Sequence, residues 1–288
     1  MKLNFITLDV FTKTRYAGNP LAIVHVPAEL HNTLTQAQKQ SIATEFNLSE
    51  TVFMHQVSGE PVIVDIFTSV AEIPFAGHPT IGSAWYILQY RQKSVQALQT
   101  KAGRIPIALS NGMVRAAIPH NIHIHARTFT SSLNDEANPI VSIVKGMSFI
   151  LARLPSLEAL AKAKSSLYED TYNPDILDKD WKEGLVGTLF YAPQGIDAYG
   201  HRAFRTRMHA GLEDPATGSA SSALGAYLAL NEPAEKGNGP FRYILTQGVE
   251  MGKKSDIVVD VTRGGPGVID SVFLSGTAVK IMEGSLEI

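Results

Sequence analysis

The sequence contains no cysteine among its 288 residues. Disulfide bonds, thiolate metal ligands and a thiol that acts as nucleophile, acid or base are therefore excluded. No uninterrupted apolar run approaches the roughly 18–20 residues of a membrane-spanning helix. Neither charge is in large excess, since the formal net charge is −2, so nucleic acid and membrane surfaces are not expected partners. Carboxylates, His, Lys, Tyr, Ser and Thr remain as candidate catalytic groups.

Length and composition are typical of a globular protein with two domains. A chain of 288 residues exceeds most single cores and fits two domains of about 100–150 residues. Hydrophobic residues make up 44% and charged residues 18%, which is ordinary for a globular protein. Residues 3–10 alternate as a β-strand does and do not resemble a signal peptide, so we expect a cytoplasmic protein.

The hydrophobic pattern predicts an α+β fold in two similar lobes. Short apolar runs joined by hairpin signals, one of them at Asn111-Gly112, predict mostly antiparallel sheets. Each lobe has about one long helix to fill its sheet, and Thr35 with Gln38 has capping-box spacing at the start of another helix. We place the lobes at residues 1–120 and 121–288, with 277–288 able to pack back on the first. The polar segment 120–139 is predicted to be the linker.

Two turns of small residues, one in each half, are the most informative feature. Residues 77–84 and 214–220 both run Pro, Thr, Gly, Ser, Ala into an apolar helical pattern. Such a turn leaves backbone N–H groups at a helix start, where they can bind a carboxylate or phosphate. The pairs Gly82-Ser83 and Gly218-Ser219 can equally serve close helix packing. Duplication of the turn favours two lobes that close on one anionic ligand.

Three ionisable residues near these features are candidates for catalysis. Glu50 lies between a helix end and an apolar strand, where burial would raise its pKa and suit it to proton transfer. A solvated Glu at the edge of the strand is the alternative. His78, at a helix-opening turn, can act as acid, base or hydrogen-bond donor, or can only cap the turn. Asp214 is predicted to be the N-cap of its helix, a role that is compatible with catalysis.

The polar segment 120–139 contains three closely spaced histidines. His120, His123 and His125 are spaced i, i+3, i+5, which loosely resembles a metal-binding pattern. No carboxylate or cysteine completes a familiar ligand set along the sequence. We therefore predict no metal site and interpret these histidines as part of a solvated linker.

Several motifs together resemble one known family, the PhzF family of phenazine biosynthesis-like proteins. The similarity covers nearly the whole chain in the family's order. The motifs lie at residues 8–11, 18–20, 47–51, 75–82, 213–219, 247–248 and 275–279. The resemblance implies the diaminopimelate-epimerase-like fold, with two lobes that each wrap a sheet around a central helix and an active site in the cleft between them. Epimerases of that class use two cysteines, and this chain has none.

The resemblance also implies roles for particular residues. It assigns catalysis to Glu50, His78 and Asp214, with Glu50 as the general acid/base. Substrate binding would fall to Asn19, Ser49, Gly77, Thr217, Gly218 and Ser219. The family's named member isomerises a dihydro-3-hydroxyanthranilate ring by proton transfer, which converts an enol to a ketone. The implied reaction needs neither a metal nor an organic cofactor.

Three functions are compatible with these residues. The first is an isomerase that transfers a proton on a small carboxylate-bearing metabolite. The second is a non-catalytic protein that binds or senses a small carboxylate, for which the turns alone would suffice. The third is a racemase or lyase that uses the same base on another substrate. We expect a homodimer, because dimers are the commonest oligomers among proteins.

Overall fold

The computed structural model describes residues 2–57, 59–91, 94–110 and 112–288, which form two units. The first unit consists of Met1–Ala117 together with Ser275–Ile288, and the second of Ile118–Leu274. None of the helices in the described part of the chain is long and apolar enough to cross a membrane.

Strands β1 to β8 and helices α1 and α2 belong to the first unit. The strands are β1 (Lys2–Val10), β2 (Asn19–Pro27), β3 (Thr51–Gln56), β4 (Val62–Phe67), β5 (Glu72–Ile73), β6 (Ala97–Thr100), β7 (Gly103–Ser110) and β8 (Met113–Ala117). The helices are α1 (Gln36–Phe46) and α2 (Gly77–Tyr86), and a π-helical turn, Ile87–Arg91, continues from α2.

The second unit follows, and the chain then returns to the first. Its strands are β9 (His123–Thr130), β10 (Ala137–Val144), β11 (Gly146–Arg153), β12 (Gly184–Ile196), β13 (Arg202–Ala210), β14 (Leu212–Asp214), β15 (Phe241–Gln247), β16 (Ser255–Gly265) and β17 (Val268–Gly276). Its helices are α3 (Leu157–Lys162) and α4 (Gly218–Leu230). The last strand, β18 (Ala278–Glu287), pairs antiparallel with β1.

The two units share one order of strand pairing. In the first, β1–β2, β3–β4 and β6–β7 are antiparallel, whereas β2–β3 and β4–β6 are parallel. In the second, β10–β11, β12–β13 and β15–β16 are antiparallel, whereas β11–β12 and β13–β15 are parallel. Parallel neighbours need a crossover connection, and α2 and α4 lie in the equivalent crossovers. The predicted internal duplication is therefore visible in the topology.

Each long central helix is buried in its own unit. Every residue of α2 is buried, and the helix contacts β1, β2, β3, β7, β8 and β18. In α4 the residues from Gly218 to Ala229 are buried except Tyr227, and the helix contacts β10, β11, β15 and β16. A helix that is apolar on all sides belongs in a core. Each central helix thus begins within the core of its own unit.

Local signals correctly located α1 and the hairpin. Thr35 caps α1, and its side chain and that of Gln38 form the predicted capping box. Strands β7 and β8 pair antiparallel from Ile107 with Ala116 to Ser110 with Met113. The predicted hairpin turn includes Asn111, which lies outside the described residues.

The linker prediction for residues 120–139 is wrong. Within this segment His123–Thr130 form β9, and β10 begins at Ala137. Strand β9 pairs antiparallel with β10. Polar side chains are common on strands that lie partly in solvent, and only His125 is fully buried along β9. The polar composition of the segment did not indicate a strand, because two of the residues on its more buried face, His123 and His125, are polar.

Gly82 and Ser83 lie inside α2 and do not form its opening turn. The structural counterpart of Gly218, where α4 starts, is Gly77, where α2 starts. The predicted pairing of Gly82-Ser83 with Gly218-Ser219 is therefore out of register. A Cβ atom at Gly82 would lie 2.5 Å from Leu21 Cδ2 and 2.9 Å from Val10 Cγ2. This glycine permits close packing of α2 on β1 and β2.

Replacing Gly82 by Val should lower the free energy of unfolding by about 1–3 kcal/mol, the usual cost of overpacking a core. Urea unfolding followed by circular dichroism measures the change. Truncating the neighbour in a Gly82→Val/Leu21→Ala double variant makes room for the new side chain, so its loss should be smaller than the sum of the two single losses. Simple additivity within about 0.5 kcal/mol would contradict this packing role.

Candidate active site

Glu50 lies immediately before β3, at the end of a turn that follows α1. The turn begins at Asn47, which takes the left-handed conformation (φ 49°) that ends many helices. Strand β3 runs parallel to β2 and is buried for five of its six residues. The Glu50 side chain is only 18% exposed. Burial of the strand therefore places this carboxylate at the edge of the first unit's core.

His78 is the second residue of α2 and contacts Glu50 directly. Its Nδ1 lies 3.0 Å from Glu50 Oε2, and its side chain is 3% exposed. The other ring nitrogen, Nε2, is buried without a hydrogen-bond partner among the described residues. An unpaired buried polar atom is costly, and a ligand would satisfy it. One imidazole nitrogen of His78 thus contacts Glu50, and the other lacks a hydrogen-bond partner in the described part of the chain.

The environment of Glu50 favours its ionised form. Burial by itself raises the pKa of this carboxyl, but the charge and hydrogen bond of His78 and a hydrogen bond from Ser49 lower it, and the net pKa lies below the usual value. The expectation of a raised pKa is therefore wrong, because the local sequence did not show the His78 contact. A carboxyl with a lowered pKa stabilises the fold above its unfolded-state pKa, and this contribution is lost as the pH falls through the folded-state value.

Asn19 and Ser49 stand beside Glu50. The Ser49 hydroxyl oxygen lies 3.4 Å from Asn19 Oδ1, and Asn19 is buried at the start of β2. Gly18 precedes it with φ 73°, and a Cβ atom there would lie 2.4 Å from Val10 O. The tight approach at Gly18 therefore requires glycine, and it positions Asn19 next to the Ser49–Glu50 turn.

The start of α2 carries free backbone donors. The N-cap residue, Ala76, has no side chain that could cap the helix, and Pro79 has no N–H group. The first hydrogen bond back to Ala76 comes from Thr80 N. The N–H groups of Gly77 and His78 therefore have no partner within the helix. They lie beside the Glu50–His78 pair, at a helix start of the kind that can bind an anion.

Asp214 lies in the second unit and is not an N-cap. It ends β14, and Thr217 occupies the N-cap position of α4 without a capping hydrogen bond from its side chain. The Thr217 hydroxyl donates to Asp214 Oδ2 over 2.5 Å. The N-cap prediction is wrong because Pro215 and Ala216 extend the loop before the helix begins. Gly218 and Ser219 are the first two helical residues, and both are buried.

Gln247, which sequence reasoning did not select as a site residue, holds this second turn. Its Oε1 accepts a hydrogen bond from Thr217 N (3.2 Å), and its Nε2 donates to Asp214 O (2.8 Å) and Thr217 Oγ1 (3.1 Å). Gln247 is fully buried at the end of β15. The neighbouring Gly248 has φ 73°, and a Cβ atom there would lie 2.5 Å from Pro215 O. The motif at residues 247–248 was the one signal for this role.

Replacing Gln247 by Leu should lower the free energy of unfolding by about 2–4 kcal/mol, because several buried groups of the Asp214 turn would lose their hydrogen bonds. Chemical denaturation measures the loss. Gln194→Leu is a matched control, since Gln194 is exposed on β12 and its side chain donates to the carbonyl of the neighbouring Pro193. Equal stability of the two variants would show that Gln247 does not hold the turn.

The structure groups the predicted site residues by unit. In the first, hydrogen-bond contacts join His78 to Glu50 and Ser49 to Asn19, and Gly77 is next to His78 at the start of α2. In the second, the remaining predicted residues, Asp214, Thr217, Gly218 and Ser219, share the start of α4. The expectation that both groups hold one ligand stays a prediction.

The fold and site define a class: an α+β protein of two similarly connected units, with a buried His and a partly buried Glu in contact at a helix N-terminus. Over residues 8–284 the chain matches the family of phenazine biosynthesis-like proteins, PhzC-PhzF, and it belongs to this family. The predicted family is therefore confirmed.

Several relatives of the chain are named as isomerases. The chain is 29% identical to an uncharacterized isomerase of Pasteurella multocida, over 97% of this chain and 92% of the relative. It is also 29% identical to trans-2,3-dihydro-3-hydroxyanthranilate isomerase of Pseudomonas fluorescens, over 98% and 99% of the two chains.

A solved structure confirms the fold. A PhzF-family protein of Bacillus anthracis superposes with a TM-score of 0.75 at 22% identity, over 100% of both chains. The predicted α+β fold of the diaminopimelate-epimerase-like class is therefore correct.

Proposed function

We propose that this protein is an isomerase that moves a proton on a small carboxylate-bearing metabolite, with Glu50 as the general acid/base. The observation that carries the proposal is the Glu50–His78 pair: a nearly buried carboxylate held 3.0 Å from an imidazole at the start of α2. A carboxylate kept ionised by its neighbours can accept a proton from carbon. Once protonated, it can return that proton to another atom of the same substrate.

Three groups around Glu50 support this chemistry. The N–H groups of Gly77 and His78 can bind the substrate's carboxylate or the negative charge that develops when carbon loses its proton. His78 Nε2 can donate a hydrogen bond to a substrate oxygen. Asn19 and Ser49 fix the turn that carries Glu50. The reaction as proposed needs no cofactor.

For the second unit, the proposal assigns Asp214 a further acid/base role. Thr217 and Gln247 orient the Asp214 loop, and the N–H groups of Gly218 and Ser219 open α4 as those of Gly77 and His78 open α2. We infer that this helix start binds an anionic group of the substrate.

The substrate we propose to test first is trans-2,3-dihydro-3-hydroxyanthranilate, because a relative 29% identical over nearly its whole length carries that activity in its name. Ultraviolet absorption and NMR of the reaction mixture follow its conversion, and a panel of related cyclic and amino carboxylates extends the test. Isomerisation of any member supports the proposal. Calorimetric binding of panel members with no chemical change would favour a sensor of small carboxylates, and epimerised or cleaved products would favour a racemase or lyase.

A homodimer in the cytoplasm also belongs to the proposal. Size-exclusion chromatography with light scattering determines the mass in solution, and a monomer at all concentrations would contradict the dimer.

A further inference from the structure

Two histidines and an aspartate lie close together in the second unit. In the sequence they are distant from the residues that we propose for catalysis. His123 and His125 are two residues apart on β9, so their side chains lie on the same face of the strand. Asp178 comes from the loop just before a short 3₁₀ helix, Lys179–Trp181. One donor atom from each of the three residues lies within 4.8 Å of the others. Sequence reasoning found the two histidines but not the carboxylate, which is more than 50 positions away.

Distances show how closely the three side chains approach. His123 Nε2 is 2.7 Å from Asp178 Oδ2, and His125 Nδ1 is 3.6 Å from the same oxygen. His120 is not part of the group, since its Nδ1 contacts Ile118 O. The set therefore consists of two imidazole nitrogens and one carboxylate.

The surroundings hold both imidazole rings in position. His125 is buried, and its Nε2 lies 2.8 Å from Ser142 Oγ, which in turn contacts Ser148 Oγ at 2.6 Å. Its Nδ1 accepts a hydrogen bond from Asp178 N over 3.2 Å, so the unprotonated nitrogen faces the aspartate. His123 stacks on the Trp181 indole, with ring centroids 4.6 Å apart and planes 8° apart. Histidine ligands of metals are commonly oriented in this way, by a hydrogen bond to the second ring nitrogen.

We propose that His123, His125 and Asp178 bind a divalent transition-metal ion of the zinc type. Imidazole nitrogens with one carboxylate suit Zn²⁺, and three protein ligands leave a position for water. The side chains of His123 and Asp178 are 31% and 35% exposed, so an ion can enter from solvent. Binding would replace the His123–Asp178 hydrogen bond and the contact of Asp178 N with His125 by bonds to the ion. The ion would fasten the loop at Asp178 to β9, as a structural site independent of the proposed catalysis.

Zinc titration of the full-length protein, first treated with a chelator and dialysed, tests the proposal. Isothermal calorimetry should show one saturable Zn²⁺ site, zinc should raise the melting temperature, and Co²⁺ should give the visible absorption bands of a bound ion. His123→Ala and Asp178→Asn should each weaken binding at least tenfold. Both residues are partly exposed, and circular dichroism checks that the variants fold.

His201→Ala is the matched control, because His201 forms another histidine–carboxylate contact, with Asp197 Oδ2 at 2.9 Å, outside the proposed site. It should bind zinc as the unaltered protein does. Absence of saturable binding, or equal binding by all four proteins, would overturn the proposal and leave the three residues as a hydrogen-bonded cluster only.

Discussion

Replacing Glu50 by Gln is expected to lower kcat by about 10²- to 10⁴-fold, the usual contribution of a general acid/base. The amide is nearly the same size as the carboxylate but cannot accept a proton at neutral pH. It can still contact His78, so substrate binding should change little. Steady-state kinetics on the first substrate that the protein converts, together with calorimetric binding, measure the two effects separately.

Glu45→Gln is the matched control, since Glu45 is an exposed carboxylate near the end of α1, five residues away. This variant should keep the unaltered rate. If Glu50→Gln retained more than about a tenth of kcat while binding the substrate, a contribution of this size would be absent and Glu50 would not be the acid/base.

Replacing His78 by Gln is the change with the second-largest expected effect. The loss of a hydrogen bond to a charged group costs about 1.5–3 kcal/mol, which corresponds to roughly 10- to 100-fold in kcat/KM. The pKa of Glu50 should rise at the same time. Burial raises that pKa in both proteins, and the opposing charge and hydrogen bond of His78 would be lost.

The direction of the pH effect follows from the form of Glu50 that reacts. The ionised carboxylate is the base, so activity falls as the pH drops through its pKa. With that pKa raised, the acid limb of the kcat/KM profile should move to higher pH in His78→Gln. NMR titration of ¹³C-labelled glutamate carboxyls checks the shift without any substrate. His201→Gln is a control outside the first unit, and an unmoved acid limb in His78→Gln would contradict the coupling of His78 to Glu50.

Features set by short-range signals could be predicted from the sequence. The capping box at Thr35 correctly located the start of α1, and small residues near Gly77 and Gly218 marked the two central helices. The duplicated pattern of turn and helix indicated two similar units. These predictions succeed because a cap or a glycine turn depends on a few neighbouring residues.

Features set by distant contacts could not be predicted in this way. The lowered pKa of Glu50 depends on His78, 28 positions away, and Asp178 approaches two histidines from another part of the chain. The sequence motif aligns Gly82 with Gly218, but the residue that starts α2, as Gly218 starts α4, is Gly77, five positions earlier. The same small residues serve packing inside α2 and form the opening turn of α4. Only tertiary structure distinguishes these uses.

Hydrogen exchange at the carbon of the substrate tests the role of Glu50 most directly. The protein and Glu50→Gln are each incubated with a converted substrate in D₂O, and deuterium on carbon is followed by NMR. We expect deuterium incorporation with the unaltered protein, because the proton that Glu50 takes from carbon can exchange with solvent before Glu50 returns a proton to the substrate. The variant should bind the substrate with no incorporation. Incorporation by Glu50→Gln at the unaltered rate would contradict the assignment of the proton transfer to Glu50.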